Sequence, residues 1–89
     1  MKSNIRQINV MGMELEEWTY KSCTAQFGVG DTWATLYQIE SKVKKKGHAT
    51  TLLLEAKEYY KYKDFGGSVA LSPEMGRLYK KLDIKEYKE

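Results

Sequence analysis

Four lysines, Lys42, Lys44, Lys45 and Lys46, fall within five positions and run directly into Gly47, His48 and Ala49, where a helical apolar period begins. Such a strand, loop and helix series over 37 to 53 is a ready anion site. The unpaired N–H groups of a helix start, the helix dipole and the adjacent cations all favour negative charge. It is not a nucleotide loop of either common kind. The pattern GxxxxGK[ST] is absent, and Gly28-Val29-Gly30 is followed by Trp33 where a dinucleotide fingerprint needs a third glycine.

Other reactive side chains are sparse. A single cysteine, Cys23, cannot make an internal disulfide, and a single histidine, His48, leaves too few soft ligands for a zinc site of the usual kind. Cys23 lies in the strand-like run WTYKSCTAQF, where a small apolar side chain serves packing. Tyr59, Tyr60 and Tyr62 stand at helical spacing, so at least one belongs to a core rather than to a base-stacking platform. The net charge is only +3, and the sole arginines are Arg6 and Arg77. Base-edge readout favours the forked guanidinium, so sequence-specific nucleic-acid binding is not expected.

Eighty-nine residues, 42% hydrophobic and 30% charged, suit one small folded domain, residues 1–89. No apolar run exceeds three residues, as at Leu52, Leu53 and Leu54, against the roughly 18 that a membrane span requires. A cytoplasmic protein without a metal is the expectation.

The elements that must position the lysine loop follow from periodicity. Residues 1–16 alternate weakly at Ile5, Ile8 and Val10 and read as an arm or short strand with a connector. Residues 17–43 read as a hairpin: one strand from Trp18 to Phe27, a turn at Gly28-Val29-Gly30-Asp31, and a second strand from Thr32. In that second strand Trp33, Thr35, Tyr37, Ile39 and Val43 share the more apolar parity, and Gln38, Glu40 and Lys42 the polar one. Residues 44–63 carry the loop and a helix to about Tyr62, with Ala49, Leu52, Leu53, Ala56 and Tyr60 on one stripe. Residues 66–89 begin with a Gly66-Gly67 break and a short buried strand from Ser68 to Leu71. Ser72 then caps a helix with Pro73 at its first position, and a last strand opens at Ile84. The order hairpin, helix, strand, helix, strand predicts a mixed α/β layer, α+β-like in its antiparallel half.

At this point the chain resembles the GCN5-related N-acetyltransferase superfamily. The family's coenzyme loop, Gln/Arg-x-x-Gly-x-Gly/Ala between a strand and a helix, is similar to Lys44-Lys45-Lys46-Gly47-His48-Ala49, with lysine departing at the first position. Its downstream segment, Asn-x-x-Ala-x-x-x-Tyr-x-x-x-Gly-Phe, resembles the stretch from Ser72 to Ile84. There Tyr79 is kept, and Ser72, Met75, Asp83 and Ile84 replace the other four. The resemblance covers roughly residues 18 to 87.

That resemblance implies the compact acyl-coenzyme A N-acyltransferase fold and transfer of an acetyl group from acetyl-CoA to an amine. It implies that amides from Lys45 through Lys46, Gly47, His48 and Ala49 to Thr50 hold the pyrophosphate, with the Lys44, Lys45 and Lys46 side chains adding screened attraction. The strand near Gln38, Ile39 and Ser41 would bind the pantetheine arm through its backbone. Ser72 would stand where the family contacts the cofactor arm, and Tyr79 where it protonates the leaving thiolate. The base is the open position: Asp31 and Glu40 are the candidates, acting through water. Sixteen N-terminal residues cannot supply the family's first strand and two helices, so the acceptor side is expected to be open to a bulky amine such as a protein lysine or N-terminus. The sheet edge near Glu89 is expected to be unfinished, which suits a homodimer. Two rival readings accompany the enzyme: a reduced coenzyme-binding or protein-interaction module of the same fold, and a small basic nucleic-acid binder.

Overall fold

The computed structural model describes residues 2–43, 47–70 and 72–87. Eight elements run along the chain: β1 (Asn4–Val10), β2 (Met13–Tyr20), β3 (Cys23–Val29), β4 (Trp33–Ser41), α1 (His48–Tyr59), β5 (Asp64–Gly67), α2 (Pro73–Leu82) and β6 (Lys85–Glu86). The strands form one six-stranded sheet in sequence order. β1 to β4 make an antiparallel meander, after which β5 joins β4 and β6 joins β5 in parallel. The class is mixed α and β, as the alternation of periods predicts.

The antiparallel half is more extensive than the sequence suggests. Residues 1–16, read as an arm or short strand with a connector, contain β1 and half of β2, joined by a two-residue turn in which Met11 and Gly12 both take positive φ, 52° and 85°. Asn9 Oδ1 accepts from the Gly12 amide at 3.1 Å and holds that turn. The run from Trp18 to Phe27 is two strands rather than one, because the chain reverses at Lys21-Ser22, with Lys21 at φ 52°. Neither residue is a glycine or asparagine, so the turn carried no compositional mark.

One core lies between the sheet and the two helices. Trp18, Cys23, Ala25, Phe27, Ala34 and Leu36 meet Leu52, Leu53, Ala56 and Tyr60 of the α1 segment and Met75 and Tyr79 of α2 in a single cluster. Both helices therefore cover the same sheet face, as two successive right-handed crossovers in one direction require. Tyr60 is the core member of its tyrosine group. Trp18 Nε1 donates to its hydroxyl at 3.0 Å, and that hydroxyl donates to Glu16. Tyr59 and Tyr62 are exposed. α1 ends at Tyr59, three residues before the expected end, because Tyr60 leaves helical geometry to enter the core.

The expected facing of β4 is corrected by a bulge. Gln26 lies opposite Gln38 but Phe27 lies opposite Leu36, so Tyr37 is an extra residue in β4. Before it Ala34 and Leu36 point into the core, and after it Ile39 does. Trp33, assigned to the apolar parity, is 41% exposed. A bulge reverses facing, so no single parity describes the strand.

Gly66-Gly67, expected to break the pattern before a strand from Ser68 to Leu71, instead forms the end of β5; residues 68–70 lie beyond the strand and Leu71 lies outside the described residues. Absence of side chains is what the strand needs there. A Cβ at Gly67 would overlap the Tyr79 ring on the helix side, and one at Gly66 would overlap the Tyr87 ring on the other side. α2 begins as expected, with Ser72 Oγ accepting from the Met75 amide at 3.3 Å and Pro73 at the first turn. It ends on Asp83 at φ 55°, with the Ile84 amide returning to the Tyr79 carbonyl and Lys57 Nζ of α1 donating to the Leu82 carbonyl.

Candidate functional site

The parallel half of the sheet opens where β4 and β5 part. Their pairing ends at Leu36 opposite Gly67, while β4 runs on to Ser41. The Lys42 amide donates to the Ser22 carbonyl, which sets the alternation: Lys42, Glu40 and Gln38 direct their backbone groups to β3. Ile39 and Ser41 therefore direct theirs to the side that β5 has left, and no described strand pairs there.

The divergence is held by hydrogen bonds around Ser68. Its amide donates to the Leu36 carbonyl at 2.8 Å and its hydroxyl to the Tyr37 carbonyl, at the bulge, at 3.4 Å. Its own carbonyl accepts from the Tyr79 hydroxyl at 2.9 Å. Two residues on, the Ala70 amide donates to Glu86 at 2.8 Å. The segment after β5 is thus turned toward α2 and β6, away from the second half of β4.

Next to this open edge lies a cleft of about 760 Å³. One wall is the end of β4 and the start of α1, with Ser41, Val43, Gly47, His48, Ala49 and Thr50. The other is α2, with Glu74, Arg77, Leu78 and Lys81. Gly47, at φ 73°, begins α1, and among the described residues no side chain caps that terminus and no acid stands in its first turn. The first intrahelical bond is Thr51 to Gly47, at 3.0 Å, so the amides before it lack helical partners. Arg77 and Lys81 add positive charge from the facing helix, where Glu74 pairs with Arg77 at 3.8 Å. Val43, Ala49 and Leu78 supply apolar surface between the polar groups.

Of the residues singled out in the sequence, Ser41, Gly47, His48, Ala49 and Thr50 come together on this cleft. Ile39 is half-buried against the core and offers backbone only. Gln38 and Glu40 are exposed, paired with Gln26 and Thr24, and point to the sheet face without helices. Lys44, Lys45 and Lys46 lie outside the described residues. His48 Nδ1 shares a hydrogen bond with Ser22 Oγ at 2.9 Å, and its ring stands edge-on to Tyr20. Ser72 spends its hydroxyl on the α2 cap.

Asp31 is at the other end of β4, roughly 25 Å away by the rise of a strand. There it lines a second cleft of about 550 Å³ with Glu14 and Glu16, where β2 and β3 separate. Tyr79 is 4% exposed and is not among the lining residues of the 760 Å³ cleft. Burial, and second the negative charge of Glu86, push its phenol up to about 12. Its proton is committed to the Ser68 carbonyl.

Glu74, Arg77, Leu78 and Lys81 were not among the residues selected from the sequence. Their spacing of i, i+3, i+4 and i+7 was the available signal, since it puts all four on one face of α2. Among the described residues no group of histidine, cysteine and carboxylate side chains could hold a metal, and no helix is long and apolar enough to cross a membrane. No protein-family model, no curated protein and no solved structure matches this chain.

Proposed function

We propose that the protein binds acetyl-CoA in the cleft between β4 and α2 and transfers the acetyl group to an amine. The observation that carries this reading is the parting of β4 and β5, which leaves the Ile39 and Ser41 backbone without a described strand partner beside a cleft that runs from Ser41 to the start of α1. An extended ligand with amides along its arm and phosphates at one end suits such a groove. Backbone groups of β4 would pair with the arm, and α1 amides with Arg77 and Lys81 would meet the phosphates. Val43, Ala49 and Leu78 suit the aliphatic portions. In the reaction the neutral amine nitrogen bonds to the thioester carbonyl carbon, the C–S bond breaks, and the amine's surplus proton passes to water. The thiolate leaves and takes a proton. Positioning of the two reactants would supply most of the acceleration, and a β4 amide near Ile39 would stabilise the carbonyl oxygen.

A second reading is favoured by a specific observation. The Tyr79 proton is engaged by Ser68 in a buried setting, so a coenzyme-binding module without turnover accounts for the same cleft. Calorimetric titration with acetyl-CoA, free CoA and ATP, followed by an acetylation assay on mixed amines, tests both. Micromolar binding of the two coenzymes well above ATP supports the site, and thioester loss dependent on amine supports the transferase. Binding without turnover leaves the module, and no binding of either coenzyme overturns both.

A further inference from the structure

The hairpin of β1 and β2 determines which backbone groups of the outer strand remain unpaired. Val10 and Met13 flank a two-residue turn and therefore exchange both their hydrogen bonds. Alternation along the ladder then turns Ile8 and Arg6 toward β2 and leaves the backbone of Ile5, Gln7 and Asn9 facing outward. The seven β1–β2 pairs run in unbroken register, so no bulge twists this edge away.

Nor does the edge carry the devices that usually block strand addition. β1 has no proline, and its one charged residue, Arg6, is bonded to Glu17 at 2.8 Å. Upstream, Glu55 of α1 accepts from the Lys2 and Ser3 amides and from Ser3 Oγ at 2.6 to 2.9 Å, so the free edge begins after Ser3. Three outward residues centred on Gln7 form a set that is complementary to itself.

We propose that a second copy of this chain pairs with β1 antiparallel about a two-fold axis at Gln7, joining two six-stranded sheets into one. In that register Gln7 faces Gln7 of the other copy, Ile5 faces Asn9 and Asn9 faces Ile5, and all six outward polar groups of each strand are satisfied. Arg6 comes opposite Ile8, so no like charges meet. α1 packs mainly over β2, β3 and β4, and of β1 it is Ile5 that packs against the core. On the flank of α1 nearest this edge Tyr59, 53% exposed, rests edge-on against Trp18. The carboxylates on that flank are already engaged, Glu55 by Ser3 and Glu58 by Lys61 at 2.9 Å. This edge lies opposite the one expected from the sequence, where β6 spans two of the described residues.

Sedimentation equilibrium of the wild type across the micromolar range should give twice the 10.3 kDa chain mass. Q7P removes an outward N–H and no β1–β2 bond, and should give a monomer with unchanged circular dichroism. Q7K and Q7E place like charges across the axis, so each alone should be monomeric while an equimolar mixture returns to the dimer mass. This pair decides the matter where Q7P fails to fold. A wild type that stays monomeric, a Q7P that remains dimeric, or a Q7K and Q7E mixture that stays monomeric would overturn the proposal.

Discussion

The Tyr79 hydroxyl donates to the Ser68 carbonyl at 2.9 Å, tying the middle of α2 to the point where β5 leaves β4. The bond serves the cleft from behind, because Ser68 also holds the β4 bulge through the Tyr37 carbonyl. Tyr79→Phe leaves a part-buried carbonyl short of a donor and should cost about 1–2 kcal/mol in urea denaturation. In a transferase that uses this phenol, turnover should fall about tenfold or more with coenzyme affinity nearly unchanged. Turnover that survives intact would remove Tyr79 from the chemistry.

Gly67 is the neighbour that lets the Tyr79 ring approach the sheet. Gly67→Ala should destabilise by about 1–3 kcal/mol, since the ring is buried against the core and has little freedom to retreat. Gly47→Ala is a useful contrast. Its site has open space for a methyl group but sits at φ 73°, so the cost there is conformational, about 1 kcal/mol. Comparing the two denaturation midpoints separates crowding from backbone strain.

Arg77 and Lys81 face the start of α1 across the cleft. Reversing both with Arg77→Glu and Lys81→Glu should weaken coenzyme binding by about tenfold or more while leaving the melting temperature nearly unchanged, because both side chains are exposed. Binding by the wild type should also weaken as salt is added. Equal affinity in the double variant, measured by calorimetry, would place the phosphates elsewhere.

Glu55 is held below the usual carboxylate range, first by the Ser3 hydroxyl and then by the Lys2 and Ser3 amides. A carboxyl whose folded value is depressed stabilises the protein above its unfolded value, and that contribution is lost as pH falls through the folded one. Glu55→Gln should therefore lower stability at neutral pH and flatten the acid limb of the profile. Urea midpoints taken from pH 7 to below about 4 test this, and an acid limb unchanged by the substitution would count against it.

Much of the helical half was legible because its signals are local. Ser72 and Pro73 mark the start of α2 within two residues, and the stripe of Leu52, Leu53, Ala56 and Tyr60 marks α1 within nine positions. The start of α1 was legible too, at the glycine and histidine of Gly47-His48. The strands were read less well. Lys21-Ser22 reverses the chain without turn composition, so β2 and β3 looked like one strand.

By itself, then, the sequence determined the class, the two helices and the residues at the start of α1. Tertiary structure alone decided the β4 bulge, the parting of β4 and β5 and the α2 wall of the cleft. Each depends on partners distant in the chain. The Tyr37 ring lies where a Cβ at Gly28 would be, the Tyr79 ring where one at Gly67 would be, and Ser68 bonds to Leu36 and Tyr37. Hydrophobic period records which face a residue turns inward, but not which distant side chain fills the space beside it.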